Sequence, residues 1–117
     1  MVHSRSMQKT SYKLRFTISA DEQLKILETN PALKGVLKQV RKTLGYLETN
    51  LRAKSLQTHE FKSLTRRYGQ KVFEDCVQQN TPGAYRVFWH YGPDEITKNQ
   101  RRIPVITVIG IIPHPED

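Results

Sequence analysis

The sequence has a single cysteine, so Cys76 has no partner for an internal disulfide. That scarcity points to a reducing, cytoplasmic compartment. No apolar run approaches the roughly 20 residues that span a bilayer, and the opening MVHSRSM lacks the apolar stretch of a secretory signal. The expectation is a protein without a membrane partner. Also missing are a glycine-rich phosphate loop, HExxH, paired cysteines for zinc and GxSxG. The four histidines, His3, His59, His90 and His114, are scattered without ligand spacing, so neither a metal nor a cofactor is expected. No repeat or low-complexity linker divides the chain, and 117 residues are enough for one modest core. Residues 1–11 read as a flexible leader, and 12–117 as one domain.

Acidic residues are nearly absent from the middle of the chain. Between Lys34 and Lys71 ten basic residues face only Glu48 and Glu60, so this segment carries the whole net charge of +8. A concentrated positive field attracts phosphates and speeds encounter with nucleic acid. An acidic protein partner or a merely solvated helix face explains the same charge. The candidate nucleic-acid contacts are Lys34, Lys38, Arg41, Lys42, Arg52, Lys54, Arg66 and Arg67.

Periodicity supplies the elements. YKLRFTI, residues 12–18, alternates large apolar with mostly basic residues and predicts a strand with one buried face. Ser19 with Glu22 has capping-box spacing and predicts the start of a short helix. Asn30 before Pro31 predicts a second start, after which Leu33, Val36, Leu37, Val40, Leu44 and Leu47 form an apolar stripe to about Glu48. Leu51 to Gly69 reads as a long irregular connection, with Leu56, Phe61 and Leu64 as anchors. Strands are expected over 71–78, 84–91 and 103–112, the last apolar on both faces and therefore central. Thr81-Pro82-Gly83 marks a turn, and a polar loop follows Gly92. The fold class is α+β: an N-terminal strand, a helical hairpin, then a three-stranded antiparallel sheet with the helices on one face.

In AYRVFWHY, alternation sends Tyr85, Val87, Trp89 and Tyr91 toward the helices and Arg86, Phe88 and His90 toward an open face. There Arg86 either holds a phosphate with its planar fork or pairs with Glu74 or Asp75 on the neighbouring strand. His90 reads as surface. Cys76 reads as a small core residue and not as a nucleophile. His59, in QTHEF, is an acid/base candidate or a residue that bonds the loop backbone.

The run GAYRVFWHYG, followed by an apolar strand ending VIGIIPHP, resembles the RelE/ParE toxin superfamily of bacterial toxin–antitoxin systems. The resemblance implies a RelE-like microbial RNase fold, an acidic antitoxin as partner, and cleavage of messenger RNA on the ribosome by attack of the 2′-hydroxyl. Arg86 matches the family arginine after the glycine turn. His114 matches the place where some members carry an acid or base, and Lys71 the start of the strand where RelE proper has a lysine pair. The pair itself is not reproduced, since Phe73 and Glu74 follow, and the C-terminal tyrosine of several members is missing. RNA cleavage needs a base, an acid and cations around the transition state. The candidate catalytic set is therefore Arg86, His114, Glu74 and Lys71. A gyrase inhibitor of the ParE kind, without catalysis, and an inactive basic module that docks an antitoxin remain open as alternatives.

Overall fold

The computed structural model describes residues 11–78 and 84–114. The Thr81-Pro82-Gly83 turn and residues 1–10 of the expected leader lie outside them. Strand β1 (Lys13–Phe16) runs directly into helix α1 (Ile18–Thr29). The cap is Thr17, whose hydroxyl accepts the Ala20 amide at 3.1 Å, so the helix starts before the expected Ser19 box. Asn30 does cap a start, accepting from the Ala32 amide at 3.0 Å. That start is a single 3₁₀ turn, Pro31–Leu33, which leads into α2 (Lys34–Thr49).

The stretch expected to be irregular has structure of its own. A 3₁₀ turn at Lys54–Leu56 precedes a two-residue strand β2 (His59–Glu60), and helix α3 (Lys62–Tyr68) follows. Then come β3 (Phe73–Cys76) and β4 (Tyr85–Tyr91), a small hairpin of β5 (Glu95–Ile96) and β6 (Arg102–Ile103), and β7 (Val105–Pro113). Pro104 has no N–H to give a ladder, and it separates β6 from β7. Glu95 ties the hairpin to β1 through ion pairs with Lys13, at 3.0 Å, and Arg15.

The main sheet has the order β1-β7-β4-β3-β2, with β7 central as expected. Its pairs are antiparallel except one. β1 runs parallel to β7, from Lys13 opposite Val105 to Phe16 opposite Val108, beside the expected antiparallel strands β3, β4 and β7. A parallel pair needs a long crossover, and the helices and middle strands provide it.

One face of the sheet packs on α1 and α2. Leu27, Val40, Leu44 and Leu47 meet Val87, Trp89, Ile106, Val108 and Ile111 there. The opposite face is not open, contrary to expectation. Phe61 and Leu64, before and within α3, cover Val72, Phe88 and Ile109. His90 is accordingly buried and lies beside the Tyr68 ring, not at the surface.

Strand β7 changes phase midway. Trp89 pairs with Val108 but Phe88 with Gly110, which leaves Ile109 as a one-residue bulge. Before it, Ile106 and Val108 face α1 and α2; after it, Ile111 does. Gly110 and Ile112 are thereby turned to the α3 face, opposite Phe88 and Arg86. The Ile111 amide, past the end of β1, donates to Gln23 Oε1 at 2.7 Å. Replacing Gln23→Ala should leave that half-buried N–H without its partner. Urea unfolding should then show a loss of about 1–3 kcal/mol.

Candidate active site

Glu74 lies opposite Phe88 in the β3–β4 ladder and opposite His59 in the β2–β3 ladder, so its side chain belongs to the α3 face. It is 1% exposed. A carboxylate sealed in this way needs compensating partners, and three side chains supply them. His59 Nε2 is 2.7 Å from Oε1, at ion-pair distance but without hydrogen-bond alignment. His114 Nδ1 hydrogen-bonds Oε2, and Arg86 Nε stands 3.7 Å from the same oxygen.

Each partner is held by the backbone around it. The Arg86 Nη1 group donates to the Gln78 and Tyr85 carbonyls, both at 3.0 Å. With Nε turned to Glu74, Nη2 has no hydrogen-bond partner among the described residues. The His114 amide donates to the Ala84 carbonyl at 2.7 Å, which extends the β4–β7 pairing one step. This step keeps His114 in phase with Ile112 and Gly110, so the Ile109 bulge puts it on the same face as Glu74. Its ring stands edge-on to Phe61, 6.3 Å between centroids. His59 Nδ1 is 3.0 Å from the Gln57 carbonyl, the backbone bond expected for a structural histidine.

The donor inventory assigns protons. A carboxylate only accepts, so Nδ1 of His114 carries the hydrogen that joins it to Glu74. In the neutral ring the lone pair then sits on Nε2, away from the carboxylate. Both nitrogens of His59 face acceptors, and a neutral ring can donate to only one of them. Exposure separates the roles further: the side chains of His59 and His114 are 58% and 41% exposed, and that of Arg86 is 21% exposed. The imidazoles and the guanidinium can meet a solute, whereas Glu74 can only orient them.

Of the expected catalytic set, Arg86, His114 and Glu74 therefore come together. Lys71 is exposed just ahead of β3, and no hydrogen bond or ion pair joins it to the cluster. All eight expected nucleic-acid contacts are exposed, but they divide between layers. Lys34, Lys38, Arg41 and Lys42 belong to α2, on the far side of the sheet, where Arg41 pairs with Glu28 at 3.4 Å. Arg66 and Arg67 end α3, on the site's own side. Arg52 and Lys54 lie in the link between them.

Two neighbours of Glu74 serve the core. Cys76 is buried, with its thiol 3.1 Å from the Gln78 carbonyl, as its core reading anticipated. Asp75 points to the other face, is fully buried, and accepts from Trp89 Nε1 at 2.9 Å. Burial pushes its carboxyl up to about 6, against the lowering effects of the Thr58 and Trp89 side chains. Nothing in the local alternation distinguished this acid from a surface one.

This arrangement is a fold known from solved proteins. Two solved structures share it. One is the YoeB dimer from Staphylococcus aureus, with a TM-score of 0.56 and 14% identity, over 91% of this chain and 100% of that one. The other is the YoeB/ParE toxin from Agrobacterium tumefaciens, with a TM-score of 0.56 and 10% identity, over 88% of this chain and 99% of that one. At these identities the likeness is one of fold. No protein-family model matches the sequence, and no curated protein does.

Asp75 gives a pH test of the core. Its folded-state value lies above the ordinary 3.8, so the contribution to stability is full below that pH and is lost as pH rises through about 6. Asp75→Asn keeps an acceptor for Trp89 and removes the titration. In thermal and urea unfolding it should flatten the decline between about pH 4 and about pH 7, by up to roughly 3 kcal/mol.

Proposed function

We propose that this chain is the toxin of a toxin–antitoxin pair and acts as an endoribonuclease on messenger RNA at the ribosome. The observation that carries the reading is the buried Glu74 with two exposed imidazoles and a fixed guanidinium around it. The two fold neighbours, a YoeB dimer and a YoeB/ParE toxin, support the toxin assignment. An acidic antitoxin is the matching partner, and the α2 cations, on the layer away from the site, offer it an electrostatic footing.

The proposed step is a transphosphorylation. His114 Nε2 accepts the proton of the ribose 2′-hydroxyl while Glu74 holds Nδ1–H and stabilises the imidazolium that forms. The 2′-oxygen attacks phosphorus, the bond to the 5′-oxygen breaks, and the products are a 2′,3′-cyclic phosphate and a 5′-hydroxyl. The Nη2 edge of Arg86, which has no partner among the described residues, meets the charge gathering on the non-bridging oxygens. The leaving 5′-oxygen takes its proton from water, because both nitrogens of His59 face acceptors within the protein.

In a translation reaction read by primer extension, wild-type protein should produce cuts that carry cyclic phosphate ends. Arg86→Ala and His114→Ala should lower the cleavage rate by about 10²–10⁴-fold and relieve growth arrest. Antitoxin binding and the unfolding midpoint should be kept. Full toxicity in both variants removes the site from the mechanism. Inhibited DNA supercoiling with intact message would replace it with the ParE-like reading.

A further inference from the structure

Of the two main cationic clusters, only the one on α3 shares a face with Glu74, Arg86 and His114. We infer that the outer surface of α3, formed by Lys62, Arg66, Arg67 and Tyr68, is the track along which single-stranded RNA runs into the site. The inference rests on the RNase reading above and adds where the flanking nucleotides lie.

The helix is tied to the site at its start. Phe61, which precedes it, packs edge-on against both His114 and Phe88, with centroids 6.3 and 5.2 Å apart. Its amide donates to the Val72 carbonyl at 2.8 Å. At the other end Tyr68 lies 6.1 Å from the ring of His90, and Gly69, at φ 72°, turns the chain away. Phe88 and His90 both belong to β4, so α3 follows that strand away from Arg86. Seven residues at 1.5 Å each extend it by about 10 Å.

Its inner side is settled by packing. Leu64 joins the Val72–Phe88–Ile109 cluster, and the Thr65 hydroxyl accepts the Val72 amide at 2.9 Å. Lys62, Arg66 and Arg67 are left exposed. Among the described residues none of these three forms an ion pair, whereas Lys13, Arg15, Lys25, Arg41 and Arg102 each have a carboxylate. Their charge is open to an outside anion.

Charge alone would describe a solvated face. Tyr68 makes the difference: it is a large ring 44% exposed among cations and set beside the buried His90. Unpaired cations with an exposed aromatic are the elements of a single-strand platform, the cations for phosphates and the ring for a stacked base. The α2 cations have no such route, because the sheet lies between them and Glu74.

The test uses the whole chain and a labelled single-stranded RNA made uncleavable by a 2′-deoxy sugar at the cut position, titrated by fluorescence anisotropy across a salt series. Arg66→Ala/Arg67→Ala should weaken binding at least tenfold and make the log–log salt slope shallower by about 0.7 per charge removed. Tyr68→Ala should cost roughly five- to a hundredfold, and Tyr68→Phe should restore most of it. Removing equal charge from the β5–β6 hairpin, by Lys98→Ala/Arg101→Ala, should change affinity less than threefold. These residues are exposed, and unchanged unfolding midpoints would show that the fold is kept.

The inference is overturned if the α3 variants bind RNA like the wild type. It is also overturned if Lys38→Ala/Lys42→Ala on α2 weakens RNA binding as much as the α3 pair does. Loss of binding to an acidic polyglutamate peptide, with RNA binding unchanged, would give α3 to a protein partner instead. The two proposals fail separately. RNA held on α3 but never cut by wild-type protein ends the cleavage reading alone. Cleavage with unaltered kcat/KM in the α3 variants ends the track alone.

Discussion

The structure around the candidate site is organised by one costly act, the burial of the Glu74 carboxylate. Removed from water, it needs donors and positive charge from its surroundings. The sheet brings these from three directions: His59 from β2, Arg86 from β4, and His114 from just beyond β7. The same burial removes Glu74 from contact with a solute and gives it the task of orientation. Its neighbour Asp75 has Trp89 Nε1 on one oxygen and no hydrogen-bond partner among the described residues on the other, and burial raises its carboxyl. Two adjacent acids on one strand thus differ through the face each occupies.

Facing depends on strand phase, and the Ile109 bulge sets the phase where it matters. Alternation through β7 without interruption would place His114 in register with Ile106 and Val108, toward α1 and α2. The extra residue moves it across to Glu74 while Ile111 returns to the main core. A single inserted position therefore serves the packing of one face and the site on the other. The cover provided by α3 completes this face, since Phe61 touches both the aromatic cluster and the His114 ring.

Much of this was legible in the residues. The stripe from Leu33 to Leu47 showed α2 because its steps of three and four persist over four turns. The alternation in AYRVFWHY put Arg86 on the face that Glu74 shares, while His114 was singled out only by the resemblance. What was hidden has physical reasons. Helix α3 is seven residues long, too short for Phe61 and Leu64 to show a period. With α3 unseen, the sheet's second face looked open and His90 looked exposed. The bulge left no trace because β7 is apolar on both faces, so no polar residue marked the change of phase. Thr17 and Ser19 are both able caps, and spacing alone did not choose between them. Strand direction is not written in alternation, and the parallel placement of β1 emerged only from the pairing.

The β1–β7 pair also has a bearing on the order of assembly. Lys13 must find Val105, and the ladder joins segments from nearly opposite ends of the described chain. Such distant contacts are slow to close, while α1 and α2 can dock locally as soon as both exist. During synthesis the early helical pair waits with its leucine side uncovered until the central strand arrives. The step that covers this side also delivers His114 to Glu74, so the polar cluster and full burial are reached together.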